Sequence, residues 1–219
     1  MLQSRNMING RLGAWTAFVM AAVCLVPVAA SATSLASVVT DSTGDAYMNG
    51  GHQSPSFRDI TRVEVTKSDG NFVFTMDLAG SVPDEPNMQG PAHGELWWWF
   101  GITLNLSVTP RGFPGATGSW HITWWDVVVQ WDGENFTGFL VDRLPLLDGH
   151  DVVITPIAFE IDGSQITMVV DSDLMDNPSS FMWAGVTMRW TSGIGTESIK
   201  YEDIAPEFFT TGILATWPA

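Results

Sequence analysis

The sequence predicts an all-β fold, a single domain built as a two-sheet antiparallel β-sandwich. Three observations carry that prediction. Residues 95–106 alternate with a period of two: Leu96, Trp98, Phe100, Ile102, Leu104 and Leu106 fall on one face, Trp97, Trp99, Gly101, Thr103 and Asn105 on the other. A strand covering a hydrophobic core reads this way. Asp-Gly turns at Asp69, Asp132, Asp148 and Asp162 join successive apolar runs, the pattern of an antiparallel meander. Beyond the N-terminal segment no stretch keeps a helical period over three turns, so no crossover helices are present and two packed antiparallel sheets are expected.

In chain order, residues 1–32 read as a cleavable signal peptide. Arg5 and Arg11 give a positive start, 12–30 is an apolar run, and Ala30, Ser31 and Ala32 are the small residues a signal peptidase reads. The apolar run is just long enough to cross a bilayer, but the cleavage-like site favours removal. The expectation is a secreted, extracellular or periplasmic chain with no membrane span once the signal is gone. Residues 33–40 read as a flexible tail of small residues, and 41–219 as the sandwich domain. Within it, 60–66 and 72–78 form a hairpin about Asp69-Gly70, with Phe72, Phe74, Met76 and Leu78 on one face. Residues 80–94 and 108–119 are loops rich in Pro and Gly. Further strands are expected over 120–131, 136–143, 152–161, 165–170 and 181–190, with one helical turn around Leu174. Residues 192–196 form a glycine loop, and the chain beyond Tyr201 is too short and broken for an element of its own.

Composition narrows the function. The single cysteine, Cys24, lies in the signal segment, which excludes a disulfide framework, a c-type haem attachment and a thiolate metal site in the mature chain. Stability must come from a hydrophobic core, and a chain of this size buries about 70% of its unfolded surface. Without Arg5 and Arg11, seven basic side chains face twenty-four acidic ones, a net charge of −17. Such a surface repels phosphate backbones, which argues against nucleic acid as a partner, and it attracts divalent cations.

Three features resemble the DOMON-like superfamily, which includes the family 9 carbohydrate-binding modules. One is the opening 41–46, Asp-Ser-Thr-Gly-Asp-Ala, followed by Asp59-Ile60 leading into the first strand. Another is the hairpin over 63–78. The last is the end of the chain, a strand at 185–190, a glycine loop, then Asp203-Ile-Ala-Pro-Glu207. The resemblance spans almost the whole mature chain. It implies a jelly-roll-like sandwich that binds sugar or haem, in several members with a structural calcium. In the middle, where many relatives carry a short acidic motif, this chain has Trp97, Trp98 and Trp99 in a row.

Four constellations bear on chemistry. Asp41 and Asp45 flank a glycine that lets a loop wrap an ion, Asp59 ends that loop, and Asp203 joins if the ends of the domain meet. Calcium, which takes six to eight oxygen ligands with carboxylates among them, is the cofactor this pattern suggests; capping of turns by Asp41 and Asp45 is the plainer alternative. A tryptophan platform is the second. If 120–131 pairs with 95–106, Trp97, Trp99 and Trp124 share a sheet face with Asp126, Gln130 and Asn105, indoles beside hydrogen-bonding side chains that suit the apolar faces and polar rims of a pyranose. Loops folded over the same indoles would make that face ordinary packing instead. Haem b is the least expected cofactor; Met88 in the loop that also holds His93, paired with His150, is the combination to test. Hydrolysis is not expected: Glu95, Asp126 and Glu160 are isolated carboxylates, and no nucleophile elbow or zinc-binding His pair occurs.

The resulting expectation is an exported, non-catalytic β-sandwich binding domain for carbohydrate or another apolar-faced ligand, with calcium as a structural ion. The alternative is a structural or adhesive domain that contacts a cell-envelope component and takes no small ligand. A haem-binding electron carrier ranks third.

Overall fold

Asp69 and Gly70 both take positive φ, 51° and 80°. Such a two-residue turn twists with its flanking strands, and only glycine adopts it without strain at the second position. It joins the strands that start one sheet of the sandwich. The computed structural model describes residues 35–48, 52–87, 94–104, 124–193, 196–206 and 214–218, all in the unit Thr33–Ala219. Its strands are β1 (Ala36–Thr40), β2 (Tyr47–Met48), β3 (His52–Gln53), β4 (Ile60–Ser68), β5 (Asn71–Leu78), β6 (Gly94–Thr103), β7 (Trp125–Trp131), β8 (Phe136–Asp142), β9 (Val153–Pro156), β10 (Ala158–Asp162), β11 (Gln165–Asp171), β12 (Phe181–Gly193), β13 (Thr196–Ala205) and β14 (Ala215–Trp217). Among the described residues there is no α-helix, and no helix long and apolar enough to cross a membrane.

Two antiparallel sheets form the expected β-sandwich. One has five strands in the order β1-β4-β5-β11-β10; the other has seven, in the order β13-β12-β6-β7-β8-β9, with β14 also paired to β12. All four Asp-Gly turns fall between neighbouring strands as predicted, linking β4 to β5, β7 to β8, β8 to β9 and β10 to β11.

Alternation decides which residues meet between the sheets. Val63, Val65, Phe72, Phe74 and Met76 come from the smaller sheet; Leu96, Trp98, Phe100, Ile102, Trp125, Val127, Val129 and Trp131 come from the larger one. Gly185 leaves room for the facing sheet: a Cβ there would lie 2.6 Å from Val63 Cγ1. Leu104 falls just past the end of β6 and is exposed, and Leu106 lies outside the described residues. The opposite face of the larger sheet is also covered. Trp97, Val128, Ala184, Val186, Met188 and Ile204 form a second buried cluster there.

Three expectations need correcting. In place of a flexible tail over 33–40, Ala36–Thr40 forms β1, paired with β4 from Thr40 opposite Arg62 to Ala36 opposite Thr66. Ser37 fixes it: its hydroxyl donates to the Thr216 carbonyl at 2.5 Å and accepts from Trp183 Nε1 at 3.3 Å. Small residues there allow close approach, not disorder. The single strand expected over 152–161 is two strands in different sheets. Pro156 has no N–H to continue the ladder, and Ile157 donates to Gly138 O at 3.1 Å as the chain crosses over. Lastly, the chain beyond Tyr201 both ends one element and forms another, β14, which pairs with β12. Residues 202–205 end β13, with Asp203, Ile204 and Ala205 opposite Thr187, Val186 and Gly185. The Leu174 turn is present as a 3-10 turn, Ser172–Met175. The signal peptide expected over 1–32 and the loop 108–119 lie outside the described residues.

Candidate metal centre

Three aspartates converge where the first loop meets the last long hairpin of the larger sheet. Asp45 lies in the loop between β1 and β2, Asp59 directly follows the 3-10 turn Ser56–Arg58, and Asp203 is in β13. One carboxylate oxygen from each lies within 4.8 Å of the other two. Local geometry explains each position. Gly44 takes φ of +91°, which turns the loop back so that its N–H donates to Asp59 Oδ2 at 2.7 Å. Asp59 is extended, with φ −95° and ψ 107°, and so leaves the turn toward β4. Asp203 reaches the site through a β-bulge. Tyr201 pairs with Met188 and Asp203 with Thr187, leaving Glu202 as the extra residue. A bulge of this kind re-aims side chains, and here two successive acidic residues, Glu202 and Asp203, are both buried.

The site is electrostatically unfinished. Asp203 Oδ2 accepts from Ile60 N–H at 2.5 Å and Oδ1 from Ile204 N–H at 2.8 Å, yet its pKa is pushed up to about 8. Burial is the main cause, and the charges of Asp41 and Asp45 add to it against those two hydrogen bonds. Burial also raises Asp59, with Asp45 adding to it and the Gly44 N–H opposing. Among the described residues, Asp45 Oδ1 and Asp59 Oδ1 are buried without a hydrogen-bond partner. No ion pair reaches Asp45, Asp59 or Asp203 among the described residues.

A divalent cation fits this arrangement. Oxygens on opposite sides of a calcium ion bound at about 2.4 Å stand about 4.8 Å apart, so oxygens with this spread can share one ion. Hard carboxylate donors without His or Cys suit calcium or a similar ion rather than zinc. The three aspartates can therefore hold a metal such as Ca2+. Of the four predicted ligands, Asp45, Asp59 and Asp203 come together. Asp41 is outside the converging three, although its charge reaches Asp203 and its N–H donates to Thr61 O at 2.9 Å.

Beside the aspartates lies an ion pair that sequence reasoning missed. Arg58 Nη1 donates to both carboxylate oxygens of Glu202, at 3.0 and 2.9 Å. Ser54 Oγ donates to Glu202 Oε2 at 3.2 Å, and Arg189 Nε stands 3.7 Å from Oε1. Both Arg58 and Glu202 are buried. Burial lowers the Arg58 pKa, with Glu202 opposing. Thus the neighbours Arg58-Asp59 meet the neighbours Glu202-Asp203, cation to anion in one pair and carboxylate to carboxylate in the other. The two doublets are visible in the sequence; that they face each other is not.

The tryptophan platform is taken apart by the fold. β6 does pair with β7, with Trp97 opposite Gln130 and Trp99 opposite Val128. Trp97, however, is only 8% exposed, edge-on to Phe139 with ring centroids 5.8 Å apart, and its Nε1 donates to Glu95 Oε2 at 3.0 Å. Trp99 is half-buried beside the same cluster and donates to Asp126 Oδ1 at 2.9 Å. Asp126 is buried and accepts from Arg143 Nε at 2.7 Å and from Nη2. It serves as an internal counter-ion to Arg143. Trp124 comes before β7 begins, so the alternation does not extend to it, and it packs against the inter-sheet core beside Trp125. Gln130, on β7, is partly exposed.

Of the haem candidates, Met88 and His93 lie outside the described residues, and His150 is exposed in the turn before β9. Compared with models of protein families, with curated proteins and with solved structures, the chain gives no match in any of the three, so the likeness to DOMON-like domains rests on its short motifs and on the all-β two-sheet sandwich.

Proposed function

We propose that this chain is an exported, non-catalytic β-sandwich module whose first loop is clamped to its C-terminal hairpin by a divalent cation of the calcium type. Its role is structural or adhesive, at a cell envelope or outside the cell. The single observation that carries the cation is the meeting of Asp45, Asp59 and Asp203, with one buried oxygen of Asp45 and one of Asp59 lacking a hydrogen-bond partner among the described residues. A cation there offsets the mutual repulsion of the carboxylates and ties residues distant in sequence. Reading the module as structural or adhesive, not as a sugar-binding platform, is supported by Trp97 and Asp126, which are consumed by packing and by an internal ion pair.

Thermal melting tests the cation directly. Calcium at about one hundred times its Kd raises stability by about 2.7 kcal/mol, and a chelator removes that gain. An identical melt in calcium and chelator overturns the clamp. For the platform, tryptophan fluorescence is expected to stay constant across a glycan panel. A shift lost in Trp99→Ala would restore the carbohydrate reading.

A further inference from the structure

The larger sheet ends at β9, which pairs with β8 and, among the described residues, with nothing on its other side. Val153 and Ile154 in β9 are 50% and 61% exposed, and Leu147 in the preceding 3-10 turn is 48% exposed. Consecutive strand residues point to opposite faces, so both faces of this edge present large apolar side chains. Edges of this sort are usually guarded by Lys, by inward-pointing charge or by a bulge. β9 has none of these; only its four-residue length and Pro156 limit pairing.

Charge around the edge is one-sided. From residue 144 to 188 the chain has no Lys or Arg but seven acidic residues: Asp148, Asp151, Glu160, Asp162, Asp171, Asp173 and Asp176. Asp148 and Asp151 precede β9, and Glu160 and Asp162 lie on β10, the edge strand of the other sheet that follows it; all four are exposed. A second copy of this chain would bring like charges together at such an edge.

We propose that β9 is a strand-addition site for a partner protein, taking an extended segment of alternating apolar residues flanked by Lys or Arg. Backbone pairing along 153–155 supplies the register. Val153 and Ile154 bury apolar surface, and the flanking carboxylates select basic segments and speed their arrival.

The probe is a synthetic peptide, Lys-Lys-Thr-Val-Thr-Val-Thr-Lys-Lys, against its counterpart with Glu at the four flanking positions. Binding is followed by fluorescence anisotropy at low salt, with amide exchange mapping the contact. The Lys-flanked peptide is expected to bind and to slow exchange at 153–155. Binding should weaken about tenfold with Glu flanks, and again in Val153→Gln and Ile154→Gln, surface changes that leave the core alone. It should also weaken with added salt. The proposal is overturned if the Lys-flanked peptide fails to bind at about 1 mM, if both peptides bind alike, or if the Gln variants bind as well as the parent. Self-association that protects 153–155 without peptide would assign the edge to a second copy and overturn it too.

Discussion

Replacing Asp203 by Asn separates the cost of the acidic cluster from its use. The Asp203 carboxyl has its pKa carried from 3.8 to about 8 in the folded chain. The folded protein therefore holds a proton that the unfolded chain releases, so stability falls as pH rises from about 4 to about 8 and is flat above that. Each pKa unit corresponds to about 1.4 kcal/mol, so the full cost is on the order of 5 kcal/mol above pH 8 in the absence of a cation. Asn removes this cost but introduces another. Asp203 accepts from both Ile60 and Ile204 N–H; the Asn carbonyl serves one, and its NH2 group faces the other. That mismatch costs about 1–3 kcal/mol at every pH. Asp203→Asn is therefore expected to be the less stable form at about pH 4.5 and the more stable one, by about 2–4 kcal/mol, at about pH 9 in chelator. Urea unfolding followed by tryptophan fluorescence measures both curves. Calcium should reverse the order at high pH by stabilising the parent alone. A difference between the two proteins that stays the same from pH 4.5 to pH 9 would refute the reasoning.

Two further substitutions test the supports around the site. Arg58→Met leaves Glu202 buried against a single remaining arginine, Arg189, and is expected to cost about 3–5 kcal/mol in urea unfolding. Arg58→Met with Glu202→Leu should lose less, since the uncompensated carboxylate is gone, and a double variant worse than the single one would contradict the ion-pair account. Trp97→Ala opens a cavity in the outer cluster of the larger sheet and should cost about 3–5 kcal/mol by the same assay. A loss well under 1 kcal/mol would mean that the indole is open to solvent.

Local pattern made the strands legible. In β5 the apolar residues Phe72, Phe74, Met76 and Leu78 are buried and the residues between them are partly exposed, because strand burial repeats every two residues and needs no knowledge of the partner. Where the pattern depends on a partner, it misled. Trp97 has the spacing of an outward residue but is buried, because the larger sheet is packed on both faces around β6, β7 and β12. Trp124 has the spacing of the Trp99 face but precedes its strand.

The sequence by itself determined the sandwich, its four Asp-Gly turns and the acidic character that invites a cation. It also nominated Asp41, Asp45, Asp59 and Asp203, although not which three of the four would meet. Only the tertiary structure decided that, through one extra residue at the β13 bulge that buries Glu202 and Asp203 together, against Arg58 and Asp59. The physical reason is range. Alternation and turn chemistry act over a few residues, whereas the encounter of Asp59 with Asp203 spans 144 positions and is set by how two sheets stack.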